Sequence, residues 1–253
     1  MVNMSDRIET NSNRAADNAN FYDTFWDLKN HKISGQQKAR ARFIVASINK
    51  YISRRDLRIL DLGCGTGWLA KYLSDWGEVT GVDFSQKVIN FAQENFGQYA
   101  QYFVADPTHK QLGLPEDIRF DLVVSSEVIE HVVDHEAFIQ QLETFLKPGG
   151  YCAITTPNGR LYRYYASNEY YKQRFQPVEN WLTPRQLRGL VRQYRYEILI
   201  HHGLIYRKFL PGWFGWFQHQ RVEKAFRQVG LTNIYPRLIV PFASYQLMFL
   251  RKD

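Results

Sequence analysis

Short apolar segments alternate with amphipathic segments through the first two thirds of the chain. The apolar segments have the length and composition of strands: LRILDLG, EVTGVDF, QYFVAD, RFDLVVSS and GYCAITTPN. The segments between them repeat apolar residues at helical spacing, as at Leu69, Tyr72, Leu73 and Trp76 and again at Phe138, Ile139, Leu142 and Phe145. The helix over HEAFIQQLETFL is expected to end at KPGG. Strands that alternate with helices form βαβ units, so this pattern predicts an α/β fold with a parallel sheet covered on both faces.

The segments before and after these alternating strands and helices also predict secondary structure. FYDTFWDLKN and QQKARARFIVASINKYI predict helical structure over about 21–52, whereas the polar residues 1–20 are expected to form a flexible tail without a signal peptide. Beyond Asn158, TPRQLRGLVRQ and QRVEKAFRQV predict helices, and YEILIHHGLIY and SYQLMFLRK predict strands. The length of 253 residues suits one α/β domain with additions.

The net charge and the number of cysteines indicate which classes of binding partner and which cellular compartment to expect. The net charge of +7 favours anionic partners, such as acidic or phosphorylated substrates, nucleic acid or a membrane surface, and the alternative is a basic enzyme without such a partner. Two cysteines, Cys64 and Cys152, argue against a disulfide framework and favour a reducing, cytoplasmic location. No apolar run reaches the ~18 residues of a membrane span, and no Cys/His cluster suggests zinc.

The segment LDLGCGTG places glycines at every second position between a strand and a helix. Such a loop allows the backbone to turn tightly and to contact a ligand. Gly63-Cys64-Gly65 begins like a dinucleotide fingerprint, but Trp68 occupies the position of its third glycine. We expect the indole to block close packing of helix on strand, which disfavours a diphosphate site and a dehydrogenase.

Two acidic residues follow the next two predicted strands. Asp83 ends GVD, 20 residues after Gly63, where a carboxylate can accept both hydroxyls of a ribose. Asp106 ends VAD, where a side chain can bind an adenine amino group. A glycine loop followed by these two acids predicts an adenosine-type ligand without a diphosphate, although ordinary polarity at strand ends is the alternative for each acid.

The motifs LDLGCGTG, GVD, VAD, SSEVIEH and LKPGG follow one another in a characteristic order. Over residues 40–157 the chain thereby resembles the class I, Rossmann-like S-adenosylmethionine-dependent methyltransferases, and the later motifs are most similar to ubiquinone-pathway O-methyltransferases and their small-molecule and glycan-modifying relatives. The resemblance implies a seven-stranded, mostly parallel sheet with helices on both faces. It also implies one domain with an N-terminal helical cap at 21–55, a cofactor-binding half at 56–158 and an acceptor-side half with an insertion at 159–253.

The resemblance also assigns cofactor-binding residues. The glycine loop would hold the methionine part of S-adenosylmethionine, Asp83 the ribose, and Asp106 with Pro107 the edge of the adenine. Arg40 matches an arginine that reaches the cofactor carboxylate, although Arg42 is an alternative. The full set of predicted cofactor-binding residues is Arg40, Gly63, Cys64, Gly65, Asp83, Phe84, Asp106, Pro107 and Glu127. No basic residue beside Cys64 suggests a nucleophile, so we expect it to be only a small loop residue.

The segment SSEVIEHV carries the candidate catalytic residues. A helical turn there would place Glu127, Glu130 and His131 on one face, at i, i+3 and i+4. Methyl transfer to a hydroxyl requires alignment and loss of a proton, so His131, with Glu130 beside it, is the candidate general base. One alternative is that His131 only orients Glu130 or lines the pocket. Another is a magnesium site at the three residues, although Mg²⁺ prefers oxygen ligands.

Tyrosines and cations are interleaved after Asn158, where the resembled family builds its acceptor lid. Aromatic rings stack on sugars or rings, and Arg160, Arg163 and Arg174 could hold a carboxylate or phosphate. This favours a small-molecule acceptor that is acidic, glycosylated or lipid-linked, such as a prenylated phenol. The alternative is a solvated helix with its tyrosines packed on the sheet. FLPGWFGWF, at 209–217, favours packing over the sheet, with a peripheral lipid contact as the alternative.

These observations together favour a small-molecule O-methyltransferase. The basic charge motivates a nucleic-acid methyltransferase as a rival, but no RNA-binding module and no Asn/Asp-Pro-Pro-aromatic signature of base methylation is present. A non-catalytic binding protein on the same fold is a further alternative, because a fold does not determine a function. Against it, Gly63, Gly65 and Asp83 would preserve a cofactor site that a scaffold does not need.

Overall fold

The computed structural model describes residues 32–108, 112–115, 117–166, 179–204 and 239–253. Its strands are β1 (Leu57–Leu62), β2 (Gly77–Asp83), β3 (Gln101–Val104), β4 (Phe120–Ser126), β5 (Leu146–Pro157), β6 (Tyr196–Leu204) and β7 (Tyr245–Lys252). Its helices are α1 (Gly35–Tyr51), α2 (Ala70–Leu73), α3 (Gln86–Phe96), α4 (His135–Phe145), α5 (Gly159–Ala166) and α6 (Pro184–Gln193). Short 3-10 turns lie at Ser74–Trp76, Ile129–His131 and Val240–Phe242.

The strands form one seven-stranded sheet in the order β3-β2-β1-β4-β5-β7-β6. Pairs among β1 to β5 are parallel, whereas β7 lies antiparallel between β5 and β6. The predicted seven-stranded, mostly parallel sheet is confirmed. Its strand order reverses direction at β1, so the crevice beside the carboxyl ends of β1 and β4 is the place where an open α/β sheet binds ligands.

Two apolar cores cover the two faces of the sheet. Neighbouring residues of β1 point to opposite faces, so Leu60 packs with Phe138 and Leu142 of α4, while Ile59 packs with Ile44 of α1. All five side chains are almost fully buried. Full burial of each such side chain stabilises the fold by roughly 1.5–3 kcal/mol. The apolar spacing predicted for α1 and α4 therefore marks the faces that these helices place on the sheet.

The end of α4 differs in detail from the prediction. The helix ends at Phe145, as expected, but KPGG is not a separate turn, because β5 already begins at Leu146. Leu146 pairs with Phe120 before a register shift interrupts the β4–β5 ladder. Gly149, with φ of 69°, lies in this irregular stretch and allows the backbone to re-enter the regular ladder at Tyr151.

Several predicted elements lie outside the described residues, namely the tail at 1–20, the helix over FYDTFWDLKN, the segment 209–217 and the helix over QRVEKAFRQV. The division of the chain into a cap and two halves therefore stays a prediction, although α1 falls within the range predicted for the cap. Among the residues that the structure describes, no helix combines the length and the apolar character that crossing a membrane requires.

Candidate active site

The glycine loop lies between the end of β1 and α2. Gly63 and Gly65 have φ of 75° and 52°, in the left-handed region that glycine adopts without steric cost. The amides of Gly63 and Cys64 donate to the Val82 carbonyl at 2.8 and 3.0 Å, which ties the loop to the end of β2. A Cβ at Gly63 would overlap the side chain of Val128, so the loop also contacts the segment after β4.

The glycine loop packs closely against α3 and β3 at Gly67. A Cβ at this position would lie 2.8 Å from the Cβ of Ala92 in α3 and 2.7 Å from the Tyr102 hydroxyl in β3. The hydroxyl of Tyr102 donates to the Gly67 carbonyl at 3.2 Å. Trp68 is buried beside this contact, with its ring 6.3 Å from that of Tyr72. The close contact lies at the residue before Trp68, and the expected effect of the indole stays a prediction.

Asp83 contacts the glycine loop directly. Its Oδ2 accepts a hydrogen bond from the amide of Gly65 at 3.0 Å, and its Oδ1 accepts one from the amide of Ser85 at 3.1 Å. Burial raises the pKa of Asp83, while the amide donors, including that of Phe84, act to lower it. The structure therefore brings together Gly65 and Asp83, two residues that the motifs assign to one site.

The end of β3 lies beside the end of β2, since Val104 pairs with Asp83. Asp106 follows, and its Oδ1 accepts from the amide and the hydroxyl of Thr108 at 2.8 and 2.7 Å. The charge of Asp106 also acts to raise the pKa of Asp83. Pro107 is buried and Phe84 is partly exposed. The predicted adenine-side residues thus follow the edge of the sheet next to Asp83.

Asp61 is a site residue that the motif analysis missed. It lies in β1, two residues before the loop, and is only 2% exposed. Its Oδ2 has no hydrogen-bond partner in the described part of the chain. Burial, together with the charge of Asp83, raises the pKa of Asp61 to about 7. A carboxyl group inside LRILDL, a segment in which Arg58 is the other charged residue, was the available signal, because such a group is rarely buried without a partner.

The thiol of Cys64 is buried between these acids. Burial raises the pKa of Cys64 well above its ordinary value, and the charges of Asp83 and Asp61 act in the same direction. The thiolate, which is the nucleophilic form, is therefore disfavoured. This agrees with the expectation that Cys64 is only a small residue of the loop.

Arg40 and Glu127 form a buried ion pair across the crevice. The Nη1 of Arg40 lies 3.5 Å from the Oε2 of Glu127, and the guanidinium lies over the rings of Trp68 and Tyr245 at 5.9 and 5.7 Å. The Nε of Arg40 is buried without a hydrogen-bond partner within the described ranges. Burial raises the pKa of Glu127, whereas Arg40 and the hydroxyl of Thr155 act to lower it. Arg40, rather than Arg42, is the arginine that faces this site.

The predicted helical face over Glu127, Glu130 and His131 is wrong. Glu127 has φ of 63°, and its amide donates to the Thr155 carbonyl at 2.8 Å, so the backbone reverses there. Only Ile129–His131 form a 3-10 turn. The side chains nevertheless stay near one another: the Nε2 of His131 lies 3.8 Å from the Oε1 of Glu130, and the charge of Glu127 contributes to raising the pKa of Glu130.

His131 lies between two carboxyl groups. Its Nε2 is 3.8 Å from the Oε1 of Glu130, and its Nδ1 is 4.0 Å from the Oε2 of Glu179. Glu130 is buried, and the hydroxyl of Thr156 donates to its Oε2 at 2.9 Å. Burial raises the pKa of Glu130 well above its ordinary value. Glu179 was absent from the predicted set, because a contact made over 48 positions leaves no local pattern.

The arginines of helix α5 do not form a row of cations that faces the crevice. Arg163 donates to the Trp181 carbonyl at 2.8 Å, and Arg160 is exposed. Tyr162 packs on Trp181 and hydrogen-bonds the Tyr245 hydroxyl at 2.8 Å. Within the described part of α5, tyrosine packing on the sheet therefore agrees with the alternative weighed above. Tyr170, Tyr171, Lys172 and Arg174 lie outside the described residues.

The magnesium alternative has no support from the arrangement of side chains. Across the described ranges, no group of three or more His, Cys, Asp or Glu side chains converges as a metal site would require. Glu127 is directed to Arg40 and Thr155, and Glu130 is directed to Thr156. These carboxyl groups therefore already have partners of other kinds.

The strand order and the glycine loop beside a strand-end acid define the class I methyltransferase architecture. A family model described as a methyltransferase domain matches residues 36–235. The chain belongs to this family of S-adenosylmethionine-dependent methyltransferases, as its motifs predicted. It is 33% identical over 174 residues to the ubiquinone biosynthesis O-methyltransferase of Bradyrhizobium diazoefficiens, covering 62% of this chain and 65% of that protein.

A second curated relative has the same name. The ubiquinone biosynthesis O-methyltransferase of Coxiella burnetii is 30% identical over 118 residues, covering 46% of this chain and 50% of that protein. The matches thus span about half to two thirds of these relatives. Similarity over part of their length does not transfer their acceptor specificity to this chain.

Solved structures share the fold at lower identity. The magnesium protoporphyrin IX methyltransferase of Synechocystis, with bound SAH, has a TM-score of 0.63 at 14% identity, covering 95% of this chain and 99% of that chain. The cyclase SpnF has a TM-score of 0.58 at 20% identity, covering 90% and 85%. These likenesses show the fold alone, and the second shows that chains of this fold also carry out other chemistry.

Proposed function

We propose that this chain transfers a methyl group from S-adenosylmethionine to a hydroxyl group of a small aromatic acceptor. The observation that carries the proposal is the position of His131, held beside Glu130 and Glu179 at the crevice that contains the glycine loop and the Arg40–Glu127 pair. A proton acceptor beside a methyl-donor site is what O-methylation requires.

The residues present fit the methyl donor. The left-handed glycines present main chain without side chains, and two buried polar atoms, the Oδ2 of Asp61 and the Nε of Arg40, have no partner among the described residues. A zwitterionic amino-acid group suits the Arg40–Glu127 pair, with its carboxylate toward the guanidinium and its ammonium toward the acid. Asp83 would accept the ribose hydroxyls, with Asp106, Pro107 and Phe84 at the adenine. Gly63, Cys64 and Gly65 would hold the methionine part.

The chain's own contribution to the chemistry is alignment and proton removal. When bound, S-adenosylmethionine supplies an electrophilic methyl group on a sulfonium. His131 would take the proton from the acceptor hydroxyl while that oxygen's lone pair forms the new O–CH₃ bond, and the donor would keep the C–S bonding electrons and leave as a neutral thioether. Glu130 lies beside this histidine and positions it. Charge is conserved, because one proton reaches the imidazole as the sulfonium charge disappears.

The acceptor class rests on two supports. Two curated relatives are named ubiquinone biosynthesis O-methyltransferase. In the described part of α5, Arg163 already donates to the Trp181 carbonyl at 2.8 Å. We therefore favour a phenolic acceptor, prenylated or otherwise lipid-linked, over one bound chiefly by arginines.

Calorimetry followed by product identification tests the proposal. S-adenosylmethionine and S-adenosylhomocysteine are titrated into the purified chain, which is then incubated with methyl-labelled donor and separate phenol, glycan, lipid and RNA fractions. We expect micromolar donor binding and a labelled O-methyl ether in the phenol fraction by mass spectrometry. Binding without transfer to any fraction would favour a non-catalytic protein, and transfer to RNA would favour the rival methyltransferase class.

A further inference from the structure

We infer that Glu179 is a positioning residue for His131: its carboxylate orients the imidazole and stabilises the positive charge that the ring acquires when it takes the acceptor proton. This inference rests on the proposed function for its role in turnover. The underlying pairing of the two side chains can be measured without any acceptor.

The geometry assigns the two ring nitrogens to different neighbours. The Nδ1 faces Glu179 at 4.0 Å and the Nε2 faces Glu130 at 3.8 Å, and the His131 and Glu179 side chains are each 15% exposed. Catalytic contacts of this kind are often long in the free protein and shorten when the reactants bind. A carboxylate at one nitrogen leaves the other nitrogen as the atom that can accept a proton.

Glu179, rather than Glu130, is the neighbour suited to carry the compensating negative charge. Glu130 is 2% exposed, and burial favours its neutral form. Glu179 has more access to solvent. Other ionisable groups near the turn within the described chain include Glu127, which is paired with Arg40, Tyr162 of α5, and Asp134 and His135 at the start of α4. Burial lowers the pKa of His135, and the charge of Asp134 acts to raise it. The carboxylate of Glu179 lies 4.0 Å from the Nδ1 of His131.

The residues that follow Glu179 are held by three separate parts of the site. The amide of Asn180 donates to the Glu130 carbonyl at 2.7 Å. The next carbonyl, that of Trp181, accepts from Arg163 at 2.8 Å, and that of Leu182 accepts from Gln246 at 2.6 Å. These three hydrogen bonds, to the turn, to α5 and to β7, restrict the backbone beside Glu179. Restriction of this kind places a carboxylate reproducibly against a ring.

The pairing is tested by NMR titration of the His131 ring in the full chain with S-adenosylhomocysteine added. The ring signal is assigned by its loss in His131→Asn. In Glu179→Gln we expect the midpoint of the titration to fall by about 0.5–1 pH unit, because the protonated ring loses a neighbouring negative charge. Glu179→Asp should restore part of the shift. Glu197→Gln, which removes an exposed acid of β6, is the matched control and should leave the midpoint unchanged.

Turnover supplies the second measurement, with a singly prenylated catechol as the probe. Glu179→Gln should lower kcat by about 10–100-fold with little change in KM, and should move the acid limb of the kcat profile to lower pH. Calorimetry should show unchanged donor binding. An unchanged His131 midpoint in Glu179→Gln would overturn the inference whatever the turnover. If the wild-type chain transfers no methyl group while the midpoint falls, the pairing stands and the proposed function fails.

Discussion

Replacement of Asp61 by asparagine should make the free protein more stable at neutral and alkaline pH. Asp61 is buried in β1 beside Asp83, and one of its oxygens has no partner in the described structure. Ionising such a group inside the fold is unfavourable, because neither water nor a cation compensates the charge. Asparagine keeps the shape of the side chain and cannot ionise.

The magnitude follows from the difference between the pKa values of the folded and unfolded states. Burial raises the pKa of Asp61 from 3.8 to about 7 in the folded chain. Between these values the folded state keeps a proton that the unfolded state has released, so the free energy of unfolding falls as pH rises from about 4 to about 7. A difference of about three pH units, at 1.36 kcal/mol each, gives up to about 4 kcal/mol lost above pH 7.

Urea unfolding followed by tryptophan fluorescence at pH 5, 6, 7 and 8 measures this effect. We expect Asp61→Asn to gain stability over the wild type progressively along this series, by about 1–4 kcal/mol at pH 8. Asp75→Asn, at an exposed position, is the matched control and should follow the wild-type curve. A difference between Asp61→Asn and the wild type that stays constant from pH 5 to pH 8 would falsify the argument, because it would show that Asp61 does not titrate in this range.

Three further predictions concern the loop and the opposite edge of the sheet. Asp83→Ala should weaken S-adenosylmethionine binding about 10–100-fold by calorimetry, since a hydrogen bond to a charged group contributes about 1.5–3 kcal/mol, and unchanged affinity would contradict the cofactor assignment. Gly67→Ala should cost about 3 kcal/mol in urea unfolding, whereas Gly113→Ala, with φ of 68° but no atom near its Cβ, should cost only about 1 kcal/mol of backbone strain. Equal costs would contradict the close contact with Ala92. Asp121 keeps a lowered pKa, because hydrogen bonds and nearby cations outweigh its burial. The contribution of Asp121 to the free energy of unfolding should therefore be lost below about pH 4. In Asp121→Asn, the free energy of unfolding should depend less steeply on pH in the acid range.

The sheet and the position of the glycine loop beside Asp83 could be predicted because their signals are local. Each strand from β1 to β5 is a short apolar segment, and Gly63, Gly65 and Asp83 occupy fixed places relative to strand ends. Rules of βαβ connection then bring those ends to one edge of the sheet. Local pattern and topology together are therefore sufficient for this half of the site.

The acceptor side could not be predicted in the same way, because its contacts join distant parts of the chain. Glu127 adopts a left-handed conformation that short polar residues favour more than glutamate, so the helical spacing of SSEVIEH was misleading there. Tyr162 meets Tyr245 across 83 positions, and His131 meets Glu179 across a segment without periodicity. The burial of Asp61 likewise depends on the strands and helices around it.

The pairing of the antiparallel strand β7 has a consequence for folding during synthesis. It is the last described strand along the sequence, yet it pairs on both sides, and its Tyr245 and Gln246 hydrogen-bond the hydroxyl of Tyr162 and the carbonyl of Leu182. During synthesis, β5 and β6 must therefore wait for residues 245–252 to leave the ribosome before either gains this neighbour. Until then each of these strands exposes an edge of unpaired backbone hydrogen-bonding groups, with which other nascent chains can pair. We therefore expect the chain to need chaperones most in the last part of translation.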